Sequence, residues 1–232
     1  MYKIKWKAGE KMRQRTAVVL GATGLVGQEV VKELCRREEY SEVTAITRTR
    51  LTINHQKLIN KIIDFDYLEG MHLGLVDDVY CCLGTTMKKA GSKAAFRKVD
   101  LDYPLQFASL AKKNNVRQFL VISAMGADPS SPFYYNKVKG LMEEQLKEMN
   151  LAGLQIFRPS LLLGDREEFR FGESIGAKVM TLAGWAMVGP LRTYKAVRAE
   201  QVALAMVEKA IKDPHENVLV YSSAEIEKTE RS

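Results

Sequence analysis

The 232 residues are 46% hydrophobic and 27% charged, a balance that excludes disordered, collagen-like and coiled-coil chains and predicts one globular domain with a buried core. No uncharged apolar stretch reaches the roughly 18 residues of a membrane span; the best, Met180 to Leu191, is shorter and holds two glycines and a proline. Of the formal net charge of +7, residues 1–15 carry +5 and the remaining 217 residues only +2, so a nucleic-acid surface is not expected.

The basic arm of residues 1–15 precedes a single domain, residues 16–232, in which 164–232 is expected to contribute a small substrate-binding portion and lid. No apolar segment follows the arm before Thr16, which removes a secretory signal and makes the cytoplasm the expected compartment. Cys35, Cys81 and Cys82 fit neither a disulfide framework nor a zinc site. His55, His72 and His215 lie on three separate segments without ligand spacing, so no metal is expected.

In chain order, Thr16 to Leu20 is a β-branched run ending at Gly21, and Val26, Val30, Val31 and Leu34 then recur at helical spacing. Further strands are predicted at Val43–Thr47, Lys61–Ile63, Val79–Leu83, Phe119–Ser123, Leu154–Phe157 and Val218–Tyr221. Helices are predicted at about 102–114, 136–149 and 199–211. A glycine- and aromatic-rich stretch from Gly164 to Pro190 is expected to be irregular, with Phe169, Phe171, Met180, Trp185 and Met187 lining a pocket or joining the core. The Glu/Lys-rich tail from Glu225 is expected to fray. Uniformly apolar strands separated by helices predict an α/β fold, a doubly wound parallel sheet of Rossmann type with a small C-terminal substrate-binding portion.

Gly21-Ala22-Thr23-Gly24-Leu25-Val26-Gly27 stands at the first strand-to-helix junction, where a dinucleotide fingerprint belongs. Gly21 permits the tight turn, Gly24 lets the main chain approach a pyrophosphate, and Gly27 lets helix and strand pack closely. The phosphates would lie at the helix N-terminus beside Thr23, Leu25 and Val26. At the end of the second strand a carboxylate would select NAD. This chain has Arg48, which suits a 2′-phosphate, so NADP is the expected cofactor, NADPH over NADH. Asp64, with Phe65 beside it, stands where an adenine amine would be met.

Ser123 closes the fifth strand at the carboxyl edge of the sheet, where ligands of such folds bind. Tyr135 and Lys139 share one helix face at i and i+4. A phenol near pKa 10 is a poor acid or base at neutral pH, and a neighbouring ammonium lowers that value by favouring the phenolate. Tyr135 is therefore the expected acid/base, Lys139 its tuning cation and ribose ligand, and Ser123 the group that holds a substrate carbonyl or hydroxyl. Tyr134 is the competing phenol, but the residue four positions on is Val138. Lys88, Lys89 and Lys93 are expected in a solvated loop.

The segments GATGLVG (21–27), CCLGTTMKKAG (81–91), FRKVDLDY (96–103), SAMGADPSSPFYYNKVKG (123–140) and FRPSLLLGDR (157–166) resemble atypical short-chain dehydrogenases/reductases, more narrowly the Tat-interacting-protein (HTATIP-like) branch. The resemblance runs from about residue 16 to 166. It implies an NADP(H)-binding Rossmann fold with Ser123, Tyr135 and Lys139 in the catalytic positions. It also implies that Leu83, Gly84 and Thr85 pass beside the cofactor and that Pro159, Leu161 and Leu162 border the nicotinamide. Where many such reductases place an asparagine that completes a proton relay, this chain has Asp100. The expected function is an NADP(H)-dependent oxidoreductase acting on a small carbonyl or alcohol, with a homodimer by analogy. Its alternatives are an NADPH-binding regulatory protein with little turnover, and a nucleotide-sugar epimerase or dehydratase.

Overall fold

A computed structural model describes residues 13–68, 71–163, 196–212 and 218–232. The first half runs β1 (Arg15–Leu20), α1 (Leu25–Arg36), β2 (Tyr40–Thr47), β3 (Leu58–Ile62), β4 (Asp78–Cys81), the short helices α2 (Met87–Ala90) and α3 (Lys93–Arg97), and α4 (Tyr103–Lys113). There follow β5 (Gln118–Ile122), α5 (Tyr134–Glu148), β6 (Leu154–Arg158), β7 (Leu162–Leu163), β8 (Val197–Arg198), α6 (Ala199–Lys212), β9 (Val218–Ser222) and α7 (Ser223–Glu227). Seven strands form one sheet in the order β3-β2-β1-β4-β5-β6-β9, every neighbouring pair parallel. The order reverses between β1 and β4, which opens a crevice at their carboxyl ends.

Strand periodicity divides the core between the two faces. Ala17 and Val19 of β1 point into the layer that α1 and α6 cover with Val30, Leu34, Val202 and Met206. Val18 and Leu20 point the other way, toward Phe107 of α4 and Met142 and Leu146 of α5. With both faces covered, the five residues of β5 are all buried. Truncating a core side chain such as Leu120 to Ala would cost about 2–5 kcal/mol.

Between α3 and α4 the helix widens into a π-turn, Lys98–Asp102, in which the Tyr103 N–H reaches back to the Lys98 carbonyl. Pro104 explains the widening. It has no N–H for the Asp100 carbonyl four residues earlier, and its ring would collide with that carbonyl in a regular turn. The extra residue leaves Asp100 buried at 1% exposure.

Two expectations are corrected here. The third strand begins at Leu58 rather than Lys61, because β2 continues the ladder from Val43 opposite Leu58 along an edge strand whose residues are only partly covered. The tail does not fray: Ser222 and Glu225 form a capping box at α7, Arg231 Nη2 bonds Glu33 Oε2 at 2.8 Å, and the Ser232 N–H bonds Glu208 Oε1 at 3.0 Å. Glu33 and Glu208 are buried acceptors contributed by α1 and α6, and their pairing with the tail is long-range, hence invisible in local composition. Most of the basic arm, His215, and the five aromatic and methionine residues expected in the pocket lie outside the described residues.

Candidate functional site

The glycine turn follows from close packing. Gly21 adopts φ +75°, and a Cβ there would lie 2.6 Å from the Cys82 carbonyl oxygen. A Cβ on Gly27 would lie 2.2 Å from the Gly21 oxygen, so strand and helix approach as only glycines permit. Gly24 is the N-cap of α1 and supplies no capping side chain, and the first turn holds no acidic residue. Its leading N–H groups have no partners within the helix and favour an anion. Those observations fit a pyrophosphate in this cradle.

A cleft runs from this turn along the carboxyl ends of the strands, lined by Thr23, Gly24, Arg48, Phe65, Leu83, Gly84 and Tyr103. Arg48 follows the end of β2, is exposed and lines this cleft. Phe65 is buried edge-on against Tyr103 and Phe107. Asp64 is exposed and spends one oxygen on the Asp66 N–H at 3.0 Å, so the structure places it as a turn residue outside the cleft lining. Asp66, which sequence reasoning passed over, accepts from Lys98 Nζ at 2.7 Å and the Tyr103 hydroxyl at 2.6 Å. The Lys98 and Tyr103 hydrogen bonds, helped by the Arg48 charge, hold its carboxyl below the usual range.

Leu83 and Gly84 also line a second, smaller cavity, so the two spaces share a wall. This cavity is lined by Thr85, Asp100, Ser123, Tyr135, Lys139, Pro159 and Leu162 among others, so chain segments far apart in sequence converge there. Leu161 is buried beside it, its carbonyl accepting from the Val197 N–H at 2.8 Å. Leu25 packs onto the α1–α6 core and Val26 is part of it; their main chain forms the first turn of α1. Of the two neighbouring phenols, the Tyr134 hydroxyl donates to the Lys93 carbonyl at 2.9 Å, while Tyr135 lines this cavity with its ring 5.7 Å from that of Phe96.

Lys139 is buried and its Nζ lies 2.9 Å from Asp100 Oδ1. The other Asp100 oxygen accepts the Thr85 N–H at 2.8 Å. Burial pushes the ammonium down. The Asp100 carboxylate, and after it the Tyr135 phenol, more than reverse this, so Lys139 stands above its ordinary value. Cys81, buried beneath, is pushed up to about 12 by desolvation and is an inert thiol. Ser123 is held by its N–H to the Phe157 carbonyl at 2.8 Å, and its Oγ donates to Glu143 Oε1 at 2.5 Å. Glu143 is in turn clasped by Arg158 from the end of β6. Neither was singled out from the sequence, although Tyr135, Lys139 and Glu143 repeat at i, i+4 and i+8 on α5.

The Gly-rich turn and the cleft beside it describe a nucleotide-binding site, and the comparisons agree. A family model described as NAD(P)H-binding matches residues 21–162. Protein HTATIP2 of Rattus norvegicus is 38% identical over 180 residues, 75% of this chain and 74% of that protein. The chain belongs to the NAD(P)H-binding short-chain dehydrogenase/reductase family of the HTATIP2 type. Among solved structures this HTATIP2-type chain is similar to a UDP-N-acetylglucosamine 4-epimerase from Methanobrevibacter ruminantium, with TM-score 0.66 and 18% identity, covering 91% of this chain and 77% of that one. It is similar also to a short chain dehydrogenase family protein from Francisella tularensis, with TM-score 0.61 and 11% identity, covering 91% and 98%. At such identities these likenesses speak for the fold.

One expectation falls at this point. Candida albicans has a relative named "Protein FMP52, mitochondrial", 32% identical over 204 residues and covering 83% of this HTATIP2-type chain and 88% of its own length; a Meyerozyma guilliermondii relative of the same name is 30% identical over 219 residues. The cytoplasmic assignment is therefore withdrawn. It rested on the lack of an apolar secretory segment, a criterion blind to organelle-targeting leaders, which are basic and amphipathic rather than apolar.

Proposed function

We propose that this chain is an NADP(H)-dependent oxidoreductase that interconverts a carbonyl and an alcohol on a small molecule, and that Tyr135 is its acid/base. The observation that carries the reading is the convergence of Tyr135 and Lys139, one helical turn apart, on a cavity that adjoins the glycine cleft across Leu83 and Gly84. A nicotinamide cofactor supplies or takes the hydride. Around it, Gly21, Thr23, Gly24 and the first turn of α1 bind the phosphates, Arg48 takes the 2′-phosphate, and Lys139 bonds the ribose hydroxyls. Pro159 and Leu162 exclude water from the reacting face. Tyr135 gives a proton to the substrate oxygen in reduction and receives one in oxidation. The partner is a small-molecule substrate, with neither nucleic acid nor membrane involved, and a pair of chains is the expected assembly. The fungal relatives' name points to a mitochondrial setting.

A second reading, an NADPH-binding regulatory protein with little turnover, draws support from the buried Lys139–Asp100 pair, since a neutralised ammonium activates a phenol less. Titration of NADPH by calorimetry, followed by Tyr135→Phe against a panel of carbonyls and alcohols, separates the two. The enzyme reading expects NADPH binding in both proteins and turnover in the parent alone. Binding with no turnover in the parent would favour the regulator, and no binding by the parent would end both.

A further inference from the structure

Behind Ser123, Glu143 and Arg158 form a chain of contacts that the catalytic assignment does not use. A serine hydroxyl has one proton and two lone pairs. Here the proton goes to Glu143 Oε1 at 2.5 Å, away from the cavity that Ser123 lines. Glu143 is a dedicated acceptor. Arg158 Nε approaches Oε1 at 2.9 Å and Oε2 at 3.2 Å, and Nη2 approaches Oε2 at 2.5 Å, a forked grip on both carboxylate oxygens. Lys147 Nζ adds a further positive charge 3.8 Å from Oε2. The Glu143 side chain is 2% exposed, so water cannot compete for the bond. The pieces come from three elements: the end of β5, the face of α5 that also bears Tyr135 and Lys139, and the last residue of β6.

We infer that Glu143 is a positioning residue that fixes the polarity of Ser123, holding its Oγ toward the cavity as a hydrogen-bond acceptor. The inference deepens the proposed function, because it names what the site takes at this point: a ligand group with a proton to donate, as the hydroxyl of an alcohol has and a bare carbonyl lacks. The Tyr135 phenol lines the same cavity and so reports the polarity of Ser123. An acceptor serine stabilises the neutral phenol, whereas a donor serine would stabilise the phenolate.

The test needs neither substrate nor turnover. Full-length protein with ¹³Cζ-labelled tyrosine, its Tyr135 signal assigned by Tyr135→Phe, is titrated by NMR with and without Ser123→Ala. The expected result is that Ser123→Ala increases the phenol ionisation constant about threefold. In a Glu143→Gln background, where the amide can donate to Oγ and release the serine proton, the same substitution should decrease the constant. If Ser123→Ala decreases or leaves unchanged the constant in the otherwise native protein, the serine is not an acceptor and the inference is overturned. That comparison stands alone should Glu143→Gln fail to fold. Equal shifts in both backgrounds would assign Glu143 a purely structural part. A parallel NADPH titration keeps the readings separate, since failure to bind cofactor would sink the oxidoreductase assignment while leaving the tyrosine measurement intact.

Discussion

Replacing Asp100 with Ala strands the buried ammonium of Lys139, and the structure sets the scale of the damage. At 2.9 Å an effective dielectric near 20 gives a gross attraction of about 6 kcal/mol. Desolvation opposes it, so removing one partner of a buried pair costs about 3–5 kcal/mol. The Thr85 N–H, which donates to the other carboxylate oxygen, is orphaned as well. Against a total stability of about 5–15 kcal/mol the variant folds with a thin margin. The pH dependence carries the sharper test. In the native protein Lys139 is raised above 10.5, so its contribution is complete below that value and is lost only as pH climbs through the folded-state pKa. In Asp100→Ala burial dominates and the folded-state pKa drops below 10.5. The variant should then gain stability on the native protein by about 1.4 kcal/mol per pH unit between its own lysine pKa and 10.5. Urea unfolding at pH 7 and pH 9.5 reads both quantities, and Asp100→Leu with Lys139→Met, which removes both charges, should recover most of the loss. A deficit under about 1 kcal/mol at pH 7, or one that ignores pH, refutes the reasoning.

The cradle and the tail give four more expectations. Gly21→Ala forces a Cβ to within 2.6 Å of a carbonyl oxygen at φ +75° and should weaken NADPH binding at least about tenfold by calorimetry; unchanged affinity would move the phosphates elsewhere. Arg48→Glu should cost NADPH about 10–100-fold, the worth of a charge-assisted bond, while NADH changes little, and equal loss for both would defeat the NADP preference. Burial alone would raise Glu208, but bonds from Ser232, Lys212 and Arg37 outweigh it and bring its pKa to about 2. This group's stabilisation is complete above its ordinary 4.5 and falls as pH drops toward 2, so Glu208→Gln should flatten the loss of melting temperature between pH 5 and pH 3. Ser222→Ala opens the capping box at α7 and should cost about 1 kcal/mol in urea unfolding; no measurable loss would mean that the tail does not fold with the domain.

The sequence by itself determined the sheet class and the cofactor cradle, because both rest on local rules. Apolar runs of strand length, helical spacing at Val26, Val30, Val31 and Leu34, and glycines at a strand-to-helix junction need only their neighbours to be read. The Tyr135–Lys139 pairing is legible for the same reason, one helical turn being a local distance. Tertiary structure alone decided how those groups are charged and oriented. Asp100 reaches Lys139 because Pro104 widens the helix into a π-turn and the fold packs that turn against α5. Ser123 turns its proton from the cavity because β6 brings Arg158 to grip Glu143, and the tail is ordered because α1 and α6 present buried carboxylates to it. Each of those contacts joins residues 15 or more positions apart, and burial is what strengthens them, so the polarity of the site follows from packing rather than spacing.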